Sequence, residues 1–188
     1  MPLLTTSVGA IEYVEAGHGQ TLLMLHGTPG GSDQALAAAQ VLGVEARVLA
    51  PSRPGYLGTP LSTGRSPSEQ ADAMIALLDE LGVETAVVLG ASGGGMVAVD
   101  LAVRHPARIR GLVLWSAVTG PMRIWSGPLL HGPLAHRSTG AVVVRLVRRF
   151  PELLVGRSAA DQSVVDAALA IAETVFPIGP RRDGLSND

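Results

Sequence analysis

Two segments near the amino end differ in how their apolar residues are spaced. From Ile11 to Glu15 apolar and polar residues roughly alternate, as in a strand with one face toward water. Thr21 to Leu25 is a nearly continuous apolar run that ends at His26-Gly27, and reads as a strand buried on both faces. Ser32 to Leu42 is alanine-rich and helical by propensity. Arg47 to Ala50 reads as another short strand, before a turn region containing Pro51, Pro54 and Gly55. Ser66-Pro67-Ser68-Glu69 then combines an N-cap serine, a proline at the first helical position and a glutamate three residues after the cap. The helix it starts is predicted to run to Leu81 and stop at Gly82. Its apolar positions Ala71, Met74, Ile75, Leu77, Leu78 and Leu81 recur at helical spacing and give it one face for a sheet. Thr85 to Leu89 is a strand-like run, Gly94 to Arg104 is helical, and Ile109 to Trp115 is apolar again. Alternation of this kind predicts the α/β class: a mostly parallel sheet with flanking helices on both faces.

The pattern changes after Ser116. Gly120-Pro121, Gly127-Pro128 and Gly132-Pro133 punctuate the chain, and the segments beyond them, Ala141 to Phe150 and Ala160 to Val175, are helical in pattern. The expected division is therefore a sheet-bearing core of strands 1–6 over residues 1–117 and a helical segment over 118–188.

Composition narrows the field of functions. The chain has 188 residues, of which 47% are apolar and 16% charged, enough to bury a substantial core. A net charge of -2 and the absence of any nucleic-acid motif argue against a nucleic-acid partner. With no cysteine, disulfides and thiolate zinc sites are excluded, and no motif calls for a cofactor. The longest run free of charged residues and histidine, Thr85 to Val99, holds four glycines and is too short to span a bilayer as a helix. Met1 to Gly9 does not have the pattern of a secretory signal, which leaves the cytoplasm as the expected location.

The strongest chemical signal is Gly90-Ala91-Ser92-Gly93-Gly94, a G-x-S-x-G sequence between a predicted strand and a predicted helix. A nucleophile elbow forces its serine into a tight turn, so the residues two before and two after it must be small. The N–H of Gly93, at the helix start, would face a developing oxyanion and be helped by the helix dipole. The competing reading is a glycine-rich nucleotide-binding turn, but the segment lacks both the G-x-G-x-x-G spacing and the lysine of a P-loop. His26-Gly27-Thr28-Pro29-Gly30 follows the buried strand, where a second oxyanion donor is needed, and the N–H of Thr28 is the candidate, with its hydroxyl as an auxiliary. His26 precedes the serine, contrary to the order serine, acid, histidine, and is read as structural. Of the acids and histidines that follow, Asp100 lies eight residues beyond Ser92 on one helix, about 12 Å of rise, with Arg104 as its i+4 partner. His105 reads as a helix-terminal residue, and His131 and His136 fall in the helical segment.

These motifs, with Arg53-Pro54-Gly55-Tyr56 between them and Arg104-His105-Pro106 after the elbow, closely resemble the α/β-hydrolase family over about Ile11 to Ala117. The resemblance implies an eight-stranded sheet, a helical lid inserted after the sixth strand, and hydrolysis through an acyl-serine intermediate. On this reading residues after Ala117 are the lid, whose Met122, Ile124, Trp125, Leu129, Leu130 and Leu134 would cover an apolar substrate or simply pack together. In the family two further strands follow the lid and deliver the acid and then the histidine. Here the sequence stops at Asp188, and Arg182 to Asp188 looks like a lid exit. The expectation is therefore an α/β-hydrolase fold incomplete at its C-terminus. It would be a serine-type enzyme for esters or related acyl compounds, weak or inactive in this form, with a small-molecule acyl substrate. The alternatives are a non-catalytic small-ligand-binding protein and a fragment of a longer hydrolase. A serine at the elbow argues against the dehalogenases and related epoxide hydrolases of the family, which use aspartate there. Ile109 to Trp115 would lie at the sheet edge, where it could pair with a second copy in a homodimer.

Overall fold

The structure is a computed structural model, and it describes residues 1–120 and Arg149. The expected lid, with its six named apolar residues and with His131 and His136, lies outside the described residues apart from 118–120 and Arg149. Among the described residues six strands form one sheet: β1 (Leu3–Thr6), β2 (Gly9–Ala16), β3 (Thr21–Leu25), β4 (Arg47–Pro51), β5 (Ala86–Ala91) and β6 (Ile109–Trp115). Their spatial order is β1-β2-β4-β3-β5-β6, antiparallel for β1–β2 and β2–β4 and parallel elsewhere. Within residues 1–120 the α-helices are α1 (Ser32–Val41), α2 (Pro67–Glu80) and α3 (Gly94–Arg104).

β3 is almost wholly apolar and sits in the middle of the sheet, between β4 and β5, with all five of its residues buried. Its side chains alternate between two cores, as the two-residue period of a strand requires. Leu23 and Leu25 join Leu49, Met74, Leu77, Leu78, Val88 and Leu101 in the layer that α2 and α3 cover. Leu22 and Met24 join Val48, Ala50, Leu89 and the alanines of α1 on the opposite face. Helices thus lie on both faces, as the sequence pattern predicts. Among the described residues, no helix is long and apolar enough to cross a membrane.

The capping box that begins α2 is formed in full: the Ser66 hydroxyl accepts from the Glu69 N–H at 3.3 Å, and the Glu69 carboxylate accepts from the Ser66 N–H at 2.9 Å. A further N–H from Arg65, at 2.7 Å, helps hold the Glu69 carboxyl below its ordinary range. At the other end of this layer Arg104 does not take Asp100 as its chief partner, as helix spacing suggests. Its guanidinium reaches across to Asp72 of α2, at 2.7 Å, and His105 joins the same carboxylate at 2.8 Å. Packing of α2 against α3 offers Arg104 an interhelical carboxylate that a one-helix view cannot see.

β6 pairs with β5 along its whole length, and among the described residues no strand pairs with its other side. Leu112, Val113, Leu114 and Trp115 are each 38–46% exposed. Since successive residues of a strand face opposite sides, apolar surface is open on both faces of this edge.

Candidate active site

Between the end of β5 and the start of α3 the chain turns within two residues, and Ser92 makes that turn at φ +45°. For an L-residue this left-handed conformation is disfavoured by about 1–2 kcal/mol. Backbone contacts hold it there: the Ser92 N–H donates to the Trp115 carbonyl at 3.2 Å, and the Ser92 carbonyl accepts from the N–H groups of Gly95 and Val118, both at 2.9 Å. The turn also needs strand and helix to come very close. A Cβ on Gly90 would lie 2.6 Å from that of Ala98, and one on Gly94 would lie 2.6 Å from the Leu25 carbonyl oxygen and 2.7 Å from that of His26. The Ser92 side chain is solvent-exposed, while Gly93, the N-cap of α3, is buried beside it.

The loop after β3 lies against this turn, because a Cβ on Gly27 would stand 3.0 Å from Ser92 Cβ and 3.7 Å from its Oγ. The structure thus brings the Gly27-Thr28 segment, Ser92 and Gly93 to one place, at the carboxyl ends of β3 and β5. Much of the surrounding hydrogen bonding fixes the loop. His26 is buried, with Nε2 accepting from the Arg53 backbone N–H at 2.9 Å and Nδ1 at 2.7 Å from the Gly27 carbonyl. A backbone N–H can only donate and a carbonyl can only accept, so His26 is a neutral ring with its proton on Nδ1. Both nitrogens are engaged with backbone, which makes His26 a brace rather than a base.

Arg53 is fully buried. Its Nε donates to the His26 carbonyl at 3.1 Å, Nη1 to Gln70 Oε1 at 3.3 Å and Nη2 to Thr28 Oγ1 at 2.9 Å. The guanidinium carbon lies 5.0 Å from the centre of the Tyr56 ring, a cation–π arrangement, and Tyr56 itself meets the His26 ring edge-on at 4.8 Å. The Tyr56 hydroxyl is 3.2 Å from Thr28 Oγ1. Thr28 is therefore gripped through its side chain by the turn after β4. Gln34 of α1 adds a long contact, 3.4 Å, to the Pro29 carbonyl, and its buried Oε1 has no hydrogen-bond partner among the described residues.

A second knot anchors that turn. The half-buried Glu12 carboxylate accepts from the hydroxyls of Ser52, at 2.9 Å, and Ser32, at 3.1 Å, and from the Gly58 N–H at 3.1 Å. The Ser52 hydroxyl in turn receives the Ser32 N–H, in the first turn of α1, at 3.1 Å. One carboxylate on β2 thus ties the start of α1 to the segment carrying Arg53 and Tyr56.

Asp100 and His105 are not brought to Ser92. The 11 residues of α3 span about 16 Å, and His105 sits at the far end with Asp72. Arg53, Tyr56 and Glu12 were not assigned a place around the Thr28 loop from sequence; the turn sequence Arg53-Pro54-Gly55-Tyr56 was the one visible sign.

Known proteins place this arrangement in a family. The family model described as alpha/beta hydrolase fold matches residues 20–162, and the chain belongs to that family. Among solved structures, an alpha/beta hydrolase fold protein from Nakamurella multipartita superimposes with a TM-score of 0.79 at 32% identity, over 99% of this chain and 72% of that one. A pimeloyl-[acyl-carrier protein] methyl ester esterase of Aromatoleum aromaticum is 36% identical over 169 residues, 83% of this chain and 65% of its own length. The hydrolase YcgS of Bacillus subtilis is 28% identical over 160 residues, 80% of this chain and 55% of its own. The chain therefore spans between about half and two-thirds of the length of these two relatives.

Proposed function

We propose that this chain carries the nucleophile side of a serine-type hydrolase for esters or related acyl compounds, with residues 1–117 as core and 118–188 as a helical cover. The observation that carries the reading is Ser92 itself, a non-glycine residue held at φ +45° on a strand-to-helix turn with its hydroxyl toward solvent. In the reaction Ser92 Oγ attacks the acyl carbonyl carbon, the carbonyl oxygen takes the negative charge, and the N–H groups of Thr28 and Gly93 stabilise it. Collapse breaks the bond to the leaving oxygen, which takes up a proton, and water then releases the acid from the acyl-serine. The esterase named among the relatives supports the acyl class.

Attack also needs a base, and Asp100 and His105 are too far along α3 to serve. Among the described residues no other acid–histidine pair follows Ser92, which supports reading the 188-residue form as weak or inactive: an oxyanion site alone retains only residual catalysis over water. The test is labelling with a fluorophosphonate probe, the adduct being located by mass spectrometry, with Ser92→Ala as control. Slow labelling confined to Ser92 is expected. Rapid labelling would overturn the incomplete-site reading and make His131 and His136 the next residues to mutate. The distance of Asp100 and His105 also favours a second reading, a pocket that binds a small acyl ligand without turnover, in which case binding would survive Ser92→Ala. We further propose that β6 mediates homodimerisation through its open edge. Light scattering should then show a dimer that Val113→Lys dissociates, and a monomeric wild type would refute it.

A further inference from the structure

Strands β5 and β6 run parallel with Ala91 opposite Trp115 at their carboxyl ends. The next residue on each strand is a serine: Ser92 after β5 and Ser116 after β6. Both are at φ +45°, and both are solvent-exposed. The two are also tied to each other. The Ser92 N–H donates to the carbonyl that precedes Ser116, and the Val118 N–H donates back to the Ser92 carbonyl, so residues 115–118 bracket the Ser92 peptide. With the 3.2 Å bond from the Ser92 nitrogen to the Trp115 oxygen, standard peptide geometry puts the Ser116 Cα within about 6 Å of that nitrogen. Glycine would take this backbone conformation without strain, whereas serine holds it at a cost, at the same carboxyl end of the sheet as the nucleophile.

We propose that Ser116 is a second ligand-contacting residue of this site, whose hydroxyl hydrogen-bonds an oxygen of the acyl group that Ser92 addresses. The proposal rests on the Ser92 reading and extends it from one hydroxyl to a pair. The ligand class is one with two or more oxygens on a single centre, trigonal when free and tetrahedral once Ser92 has added. An arylboronic acid has that form: Ser92 Oγ bonds to boron, its proton passes to solvent, and the two boron hydroxyls remain as hydrogen-bond partners.

The test is titration of the 188-residue chain with 4-fluorophenylboronic acid, followed by 19F NMR, together with melting temperatures for the wild type, Ser92→Ala, Ser116→Ala and Ser116→Gly. Ser92→Ala should abolish binding. Ser116→Ala should weaken it about fivefold, the loss of one hydrogen bond, with the melting temperature essentially unchanged. Ser116→Gly should weaken binding equally while raising the melting temperature by a few degrees as the strain is released. Such a split between binding and stability would not follow from a purely structural role. Wild-type affinity in Ser116→Ala beside lost affinity in Ser92→Ala would overturn the proposal and leave the Ser92 reading standing. No binding by the wild type would overturn both.

Discussion

A tight backbone contact yields a sharp prediction at Gly94, where α3 begins against the end of β3. Replacing Gly94 with alanine adds one methyl group 2.6 Å from the Leu25 carbonyl oxygen and 2.7 Å from that of His26. An ordinary carbon–oxygen contact is about 3.3 Å or more, so the helix start must retreat from the strand by roughly 0.7 Å. Two effects compete. Alanine is favoured over glycine in a helix by up to about 1 kcal/mol, but overpacking costs about 1–3 kcal/mol. Overpacking wins because both obstructing atoms belong to backbone and cannot rotate aside. The net loss should be about 1–2 kcal/mol, or a fall of some 2–8 °C in melting temperature for a chain of this size. Gly111→Ala is the control, since a Cβ there would meet only the two Val87 methyl groups at 3.8 Å. Urea unfolding of both variants, read at constant m-value, measures the difference. Gly94→Ala at least as stable as Gly111→Ala would refute the steric argument. A stable Gly94→Ala with unchanged fluorophosphonate reactivity would further show that the spacing between the start of α3 and the end of β3 does not matter.

Two further outcomes follow from the polar contacts. Nitrogen-15 NMR should find His26 neutral with its proton on Nδ1, because Nε2 receives the Arg53 N–H; a proton on Nε2 would contradict the hydrogen-bond assignment. Asp72, held below its ordinary carboxyl range first by Arg104 and then by His105, should stabilise the fold above about pH 4 and lose that contribution as pH falls through its lowered value. At 42% exposure the contribution should be under about 1 kcal/mol and sensitive to salt, so Asp72→Asn should be slightly less stable than the wild type at pH 7 and indistinguishable near pH 2. A gap that widened toward low pH would reverse the assigned sign.

What could be read from sequence depended on how local its cause was. Thr21–Leu25 matches its apolar run to the residue because burial on both faces leaves no room for a polar position. β5 runs on through Gly90 and Ala91, two residues past the apolar run, since α3 demands small side chains where strand propensity would favour large ones. β1, only four residues with no alternation, is recognisable chiefly by its pairing with β2. Ser92 and Gly93 stand out because the turn that holds them writes itself in neighbouring glycines. The Thr28 loop was placed by its position after the buried strand, yet what holds Thr28 comes from residues 25 and 28 positions away, Arg53 and Tyr56. Ser116 showed nothing in sequence beyond a serine after an apolar run; only the register of β5 and β6 sets it opposite Ser92.

The Glu12 knot also bears on the order in which the chain folds. Its partners Ser32, Ser52 and Gly58 are 20, 40 and 46 residues away, so each of these bonds must wait for its own long loop to close, and the whole knot for all three. Contacts of such range reward the chain only after closure entropy has been met, whereas the capping box of α2 joins residues three apart and can form at once. The wall around Thr28 should therefore set late, on a sheet already paired, and a nascent chain would possess the strand and helix flanking Ser92 before it possesses a fixed loop facing them.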